Sequence, residues 1–343
     1  RGRYPRLQRH KGSRPAGGGK RGCHRYIRDP LPDKGLAVRE MNLISISDLS
    51  REEILRLLDS ADAFRARRGE HGTPLQGKSL AMIFEKPSTR TRVSLEVAAS
   101  ELGAHPLYLS SGELQLGRGE TIADTARVLS RYVAGITARV YSHSTVEQLA
   151  AHASVPVINA LSDWEHPLQI LADLQTIRQR FSRLEGLKLA WIGDGNNVCH
   201  SLILAAAILG LEIVVASPPG YQPKPEVLEQ ARRLGGRPAV VVEPAEAARD
   251  ADVLITDTWV SMGDEGEEAE RLRVFGRYQI NSDLMSLASP DSIALHCLPA
   301  HRGQEITDEI MDGPQSAVFD EAENRLHTSK AVMAWLMGDA KKD

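Results

Sequence analysis

Cysteine is scarce: Cys23, Cys199 and Cys297 are the only three among 343 residues. Thiols so few and so scattered build neither a disulfide framework nor a zinc cluster, and they fit a reducing, cytoplasmic setting. Long apolar runs are missing too. No stretch approaches the ~20 residues that carry a helix across a bilayer, so no membrane span is expected. No internal repeat stands out, and no low-complexity tract follows residue 40. What remains is 42% hydrophobic and 25% charged, the balance of a globular protein, in a chain long enough for two α/β domains.

The net charge of −3 hides an asymmetry. Residues 1–40 hold 12 Lys/Arg against Asp29, Asp33 and Glu40, a balance of +9, so the rest of the chain carries −12. This opening segment also has the Gly17-Gly18-Gly19 run, several prolines and little apolar periodicity, and it cannot bury enough surface to offset its ordering entropy. A nucleic-acid arm and a mitochondrial presequence are the two functional readings. One serine and no amphipathic pattern speak against the presequence. The chain opens on Arg1, while Met41 stands where globular sequence begins, so residues 1–40 are expected to be a disordered extension without a function. Neither nucleic acid nor a membrane is expected as a partner.

From residue 44 onward apolar runs alternate with helical patterns. Ser50 and Glu53 form a capping box ahead of Ile54, Leu55, Leu57 and Leu58. Strands are predicted at 79–84, 106–109, 136–141, 157–159, 187–192, 212–216, 240–242, 253–256 and 293–295. Helices are predicted at 88–102, 121–132, 146–151, 167–181, 197–209 and 328–337. This alternation predicts an α/β protein of two doubly wound parallel-sheet domains, dividing near residues 183–186.

Several strand-to-helix junctions carry chemistry. Ser88-Thr89-Arg90-Thr91-Arg92 puts hydroxyls and guanidinium groups where a helix begins, and helix N-termini bind anions. The plain alternative is a capped helix with solvated arginines. Gly193-Asp194-Gly195-Asn196-Asn197-Val198 opens a helix as a dinucleotide fingerprint does, yet Val198 replaces the third glycine and Ser217 stands where an acidic ribose ligand is expected. His166, with Gln169 one turn onward, is either a structural hydrogen-bonding group or a ligand. Cys297, in His296-Cys297-Leu298-Pro299, is either a reactive thiol at a sheet's carboxyl edge or an inert buried one. Asp257-Thr258-Trp259-Val260-Ser261-Met262-Gly263 could hold an amino acid's ammonium and carboxylate, or be a solvated loop.

Together, in this order, these segments resemble the ornithine carbamoyltransferase family, bacterial-type, over residues 41–337. The motifs that carry the resemblance are Phe84-Glu85-Lys86-Pro87-Ser88-Thr89-Arg90-Thr91-Arg92, His166-Pro167-Leu168-Gln169, the Asp257–Gly263 run and His296-Cys297-Leu298-Pro299. The first two are shared with aspartate carbamoyltransferases and mark carbamoyl phosphate use; the last two mark ornithine as acceptor. The resemblance implies a carbamoyl phosphate domain at 41–182, an ornithine domain at 183–325, and a closing helix at 326–338 that packs back on the first, with the site in the cleft between them.

It also implies roles for residues. Ser88, Thr89, Arg90 and Thr91 would bind the phosphate; Arg139 would reach phosphate and carbonyl oxygen; His166 would donate to that oxygen; Gln169 would hold the amide. Cys297 and Leu298 would offer backbone carbonyls to the carbamoyl NH2, across a candidate cis Leu298–Pro299 bond. Arg325, just before the closing helix, and Gln115, reaching from a neighbouring subunit, would touch carbamoyl phosphate. Asn197, Asp257, Ser261 and Met262 would hold ornithine, with Asp257 on its ammonium. The family's reaction converts carbamoyl phosphate and ornithine to citrulline and phosphate, a step of arginine metabolism. It needs no metal or organic cofactor, and the resemblance implies a homotrimer or a multiple of trimers. Either Cys297 or Asp257 would take the amine's proton, with Cys297 favoured. The competing readings are a related carbamoyltransferase with another acceptor, an NAD-dependent oxidoreductase using the glycine turn, and a binding protein that has kept the fold without catalysis.

Overall fold

The computed structural model describes residues 42–110, 119–260 and 265–338. The first half runs α1 (Arg51–Ala66), β1 (Ser79–Phe84), α2 (Thr89–Glu101), β2 (His105–Ser110), α3 (Ile122–Leu129), β3 (Gly135–Arg139), α4 (His143–His152), β4 (Val157–Leu161) and α5 (Pro167–Phe181). The second runs β5 (Lys188–Ile192), α6 (Asn197–Leu209), β6 (Glu212–Ala216), α7 (Pro225–Arg233), β7 (Ala239–Val241), α8 (Pro244–Ala248), β8 (Val253–Thr256), α9 (Glu268–Phe275), α10 (Ser282–Met285), β9 (Ile293–His296) and α11 (Asp308–Met311). A final helix, α12 (Val318–Met337), closes the described chain. The predicted capping box is present: Ser50 Oγ accepts from Glu53 N–H while the Glu53 carboxylate accepts from Ser50 N–H at 2.7 Å.

Among the described residues every strand pairing is parallel. One sheet has the order β2-β1-β3-β4 and the other β7-β6-β5-β8-β9. The order reverses between β1 and β3 in the first and between β5 and β8 in the second. Open parallel sheets bind ligands beyond the carboxyl ends of strands at such reversals. The fold therefore marks two adjoining strand-end regions before any side chain is considered.

Parallel sheets need apolar cover on both faces. Ile83, Ile136, Val140 and Val146 fill the outer face of the first sheet, and Ile192, Leu254, Phe275 and Tyr278 that of the second. Between the two lies one continuous inner core, made by α1, α5, α6, α12 and the inner strand faces. Coverage differs among its helices: α5 is buried at every residue from Pro167 to Ile177, the polar Gln169, Asp173, Gln175 and Thr176 included, whereas α1 buries only Ile54, Leu57, Leu58 and Ala61. Among the described residues no helix is long and apolar enough to cross a membrane.

The structure differs from the sequence reading at several points. β3 stops at Arg139 rather than residue 141, because its register with β4 shifts there and Tyr141 N–H turns to the Glu85 carboxylate at 2.7 Å. The closing helix begins at Val318, ten residues before the predicted start at 328, so Arg325 lies inside it and not ahead of it. Within the polar run Glu321-Ala322-Glu323-Asn324-Arg325, Glu321, Asn324 and Arg325 are buried with partners. The short helices α7 to α11 add to the predicted set.

Candidate active site

Ser88 ends the extended segment after β1 and caps α2. Its hydroxyl accepts Thr91 N–H at 3.3 Å and donates to Thr91 Oγ1 at 3.0 Å. Thr91 is buried, and its hydroxyl oxygen is where two guanidinium groups converge: Arg139 Nη1 from the end of β3 at 3.4 Å, and Arg325 Nη2 from α12 at 3.2 Å. Both arginines are buried, at 8% and 6% exposure, and neither Nε has a partner among the described residues. Burial, then the neighbouring Arg325 charge, pulls the Arg139 guanidinium down to about 10. Burial likewise lowers Arg325. Two like charges held out of water with unused donors form a site that an anion would relieve. A cavity of about 400 Å³ opens here, lined among others by Thr89, Arg90, Gln169, Cys297 and Arg325.

His166 and Gln169 enter from the β4–α5 junction. His166 occupies the cap position of α5, but its ring makes no capping bond and Nδ1 has no partner among the described residues. Burial, followed by the Arg325 and Arg139 charges, drives its pKa well below the ordinary imidazole range, so the ring is neutral. Its backbone N–H is fixed by Ser201 Oγ at 3.0 Å, from α6 of the other half. Gln169 is buried and accepts at Oε1 from Arg325 Nη1.

The second half brings a carboxylate and a thiol. Asp257, just past β8, accepts from Asn196 Nδ2 at 2.8 Å, Thr258 N–H at 2.7 Å and the Cys297 thiol at 2.7 Å. Three donors on one carboxyl group suit a carboxylate. Burial, then the Asp257 charge, pushes the Cys297 thiol well above its ordinary value. The turn that carries it is braced from below. Leu298, at φ +57, gives its N–H to His296 Nδ1 at 2.9 Å, so His296 holds its proton on Nε2 and donates to buried Glu305 at 2.9 Å. Leu298–Pro299 is cis, as the resemblance implies.

The glycine turn has a packing reason. Gly193 has φ +136, and a Cβ on Gly195 would sit 2.2 Å from Pro223 N. Asn196 Oδ1 already accepts from Val198 and Cys199 N–H, the donors a dinucleotide's pyrophosphate would need. Asn197 turns to Ser162 O at 2.7 Å, and its neighbour Asn196 is the one that meets Asp257. Gln115, Ser261 and Met262 lie outside the described residues. Asp257, His296 and Cys297 bring one possible metal-ligand atom each within 4.8 Å of one another, although both nitrogens of His296 are engaged. Sequence reasoning missed Asn196, Glu305 and a buried carboxyl pair, Asp173 and Glu321. Asp173 did leave a signal, standing four residues after Gln169 and hence on its helix face.

The carbamoyl-P binding domain of the aspartate/ornithine carbamoyltransferases matches residues 41–179, and that family's Asp/Orn binding domain matches residues 185–336. The chain belongs to the aspartate/ornithine carbamoyltransferase family. The ornithine carbamoyltransferase of Methanosarcina mazei is 59% identical over 298 residues, covering 86% of this chain and 99% of the relative. That of Thermococcus kodakarensis is 53% identical over 306 residues, covering 88% and 97%. The solved ornithine carbamoyltransferase of Pyrococcus furiosus superposes with a TM-score of 0.85 at 52% identity, covering 88% of this chain and 98% of that one. In this carbamoyltransferase two buried guanidinium groups meet at the start of α2, and the Cys297 thiol that lines the same cavity is paired with Asp257.

Proposed function

We propose that this carbamoyltransferase moves the carbamoyl group of carbamoyl phosphate to the δ-amine of L-ornithine, giving L-citrulline and phosphate. The observation that carries this reading is the convergence of Arg139 and Arg325 on Thr91 at the start of α2, in a cavity that Cys297 also lines. The phosphate sits on Ser88, Thr89, Arg90 and Thr91 with the two buried guanidinium groups. Thr91, Arg139 and neutral His166 donate to the carbamoyl oxygen, and Gln169 with the Cys297 and Leu298 carbonyls takes the NH2. Asp257 holds ornithine with Asn197, Ser261 and Met262.

Attack by the neutral amine forms the C–N bond and places charge on the carbonyl oxygen, where each preorganised donor is worth ~3–4 kcal/mol. Collapse breaks the carbon–oxygen bond to phosphate, which leaves with the electron pair. The amine's proton passes to Asp257. The family resemblance favours Cys297 as acceptor, but a thiol held protonated by burial and already donating to Asp257 supports the carboxylate instead. We assign the enzyme to the cytoplasm, and its assembly to a trimer in which Gln115 of one subunit serves the next.

An acceptor panel tests the assignment. Purified enzyme with carbamoyl phosphate is expected to make citrulline from ornithine and little product from aspartate, putrescine or N-acetylornithine. Phosphate release with aspartate alone would move the enzyme to the other branch of the family, and no release with any acceptor would end the reading. Light scattering on the same preparation tests the trimer.

A further inference from the structure

The buried carboxyls Asp173 and Glu321 have no part in the chemistry above, yet they meet the site at one group. Gln169 Nε2 donates to Asp173 Oδ1 at 2.8 Å and to Glu321 Oε1 at 2.6 Å, which consumes both amide hydrogens. Asp173 lies one turn along α5, and Glu321 comes from α12; each is 1% exposed. Glu321 Oε2 also accepts His296 N–H at 2.9 Å, at the end of β9. On its other side the Gln169 amide faces the Arg325 guanidinium, which donates to Oε1.

We propose that Asp173 and Glu321 are positioning residues that fix the Gln169 amide with its oxygen toward the substrate, and so select a carbamoyl group over other acyl phosphates. This rests on the reading of the cavity as a carbamoyl phosphate site. The amide has two orientations. In the observed one, both N–H groups meet carboxyl oxygens and the C=O meets a cation. The flipped one would set the C=O against two carboxyls and the NH2 against a guanidinium, losing all three bonds and leaving buried polar groups unpaired. The cavity wall therefore presents an acceptor that cannot become a donor. A carbamoyl NH2 can satisfy it. The methyl group of acetyl phosphate, of similar size, cannot, and sites built to bond an NH reject analogues lacking it far more strongly than apolar sites reject a missing methylene. Burial raises both carboxyls, with the Asp173 charge adding to it at Glu321, and each keeps an oxygen that accepts one N–H of the amide.

The test compares three ligands on the native enzyme and on Asp173→Asn and Glu321→Gln: inorganic phosphate by calorimetry, carbamoyl phosphate by KM, and acetyl phosphate as a competitive inhibitor. Native enzyme is expected to prefer carbamoyl over acetyl phosphate by at least about 100-fold. The amide introduced by Asp173→Asn offers an NH2 of its own, which lets Gln169 turn over. In that variant the carbamoyl phosphate KM should rise about 10-fold or more, while phosphate and acetyl phosphate change by less than about 3-fold. Equal loss for all three ligands, or no change in the preference, overturns the proposal. Native enzyme that binds acetyl phosphate as tightly as carbamoyl phosphate overturns it without any variant. Native enzyme that fails to bind phosphate at all fails the underlying reading, a result the calorimetry separates from the others.

Discussion

Thr91 Oγ1 draws two guanidinium groups into a space shielded from water, and this sets the character of the residues around it. Burial, followed by that positive field, keeps His166 neutral, which makes it a donor of modest acidity rather than a charged group. On the facing side Asp257 collects three donors and Cys297 stays a thiol. These states predict unequal outcomes for two conservative changes. With Asp257 as the proposed proton acceptor, Asp257→Asn should lower kcat by about 10²- to 10⁴-fold, the usual worth of a general base. Cys297→Ser keeps a donor to Asp257 and should cost about 10-fold or less. Steady-state citrulline formation checks both, and a Cys297→Ser loss as deep as that of Asp257→Asn would return the proton to the thiol.

Among the secondary-structure elements, those that the sequence shows most clearly are the ones with a single demand on them. β1, α2, β5 and α6 each combine an apolar run with a polar junction, and all lie where expected within a few residues. The glycine turn between β5 and α6 is legible as a turn, but its reason is not, since Pro223 approaches from a distant loop. Gly195→Ala would drive a Cβ into that backbone, at 2.2 Å from Pro223 N. Overpacking of this kind typically costs ~1–3 kcal/mol, and a lowered urea midpoint would register it. An unchanged midpoint would mean that the 222–223 loop moves aside freely. What stays hidden in sequence is burial of charge. The start of α12 reads as a polar surface because Glu321 and Arg325 gain their partners from α5, β9 and Thr91, none of them near in sequence. The burial of Asp173 is hidden for the same reason, although its spacing from Gln169 is not.

For the molecule as a whole, the two halves are stitched through the 162–166 segment to α6. His166 N–H meets Ser201, Ser201 meets the Glu165 carboxyl at 2.9 Å, and His200 Nδ1 donates to Trp164 O at 2.9 Å. His200 Nε2 also accepts Lys224 N–H at 3.2 Å, so the ring works only when neutral. Burial lowers its pKa to about 4. Above the ordinary value of 6.5 both folded and unfolded imidazoles are neutral and nothing changes. Between 6.5 and about 4 the unfolded chain takes up a proton that the folded one refuses, so stability falls with falling pH by about 3 kcal/mol. His200→Asn should lose less stability between pH 7 and pH 4.5 than the native enzyme, in urea titrations at the two pH values. Parallel losses would assign the acid sensitivity to other buried groups.

The placement of α12 has one more consequence. Its apolar face completes the shell around α1, α2 and α5, elements made more than a hundred residues earlier in the chain. During synthesis the first sheet and its helices can form while the ribosome still works on the second, but the sides of α1, α2 and α5 that α12 covers stay open until residues 318–337 emerge. A nascent chain lacking them would expose those sides to chaperones and proteases, so quality control senses the last helix before it senses the reaction.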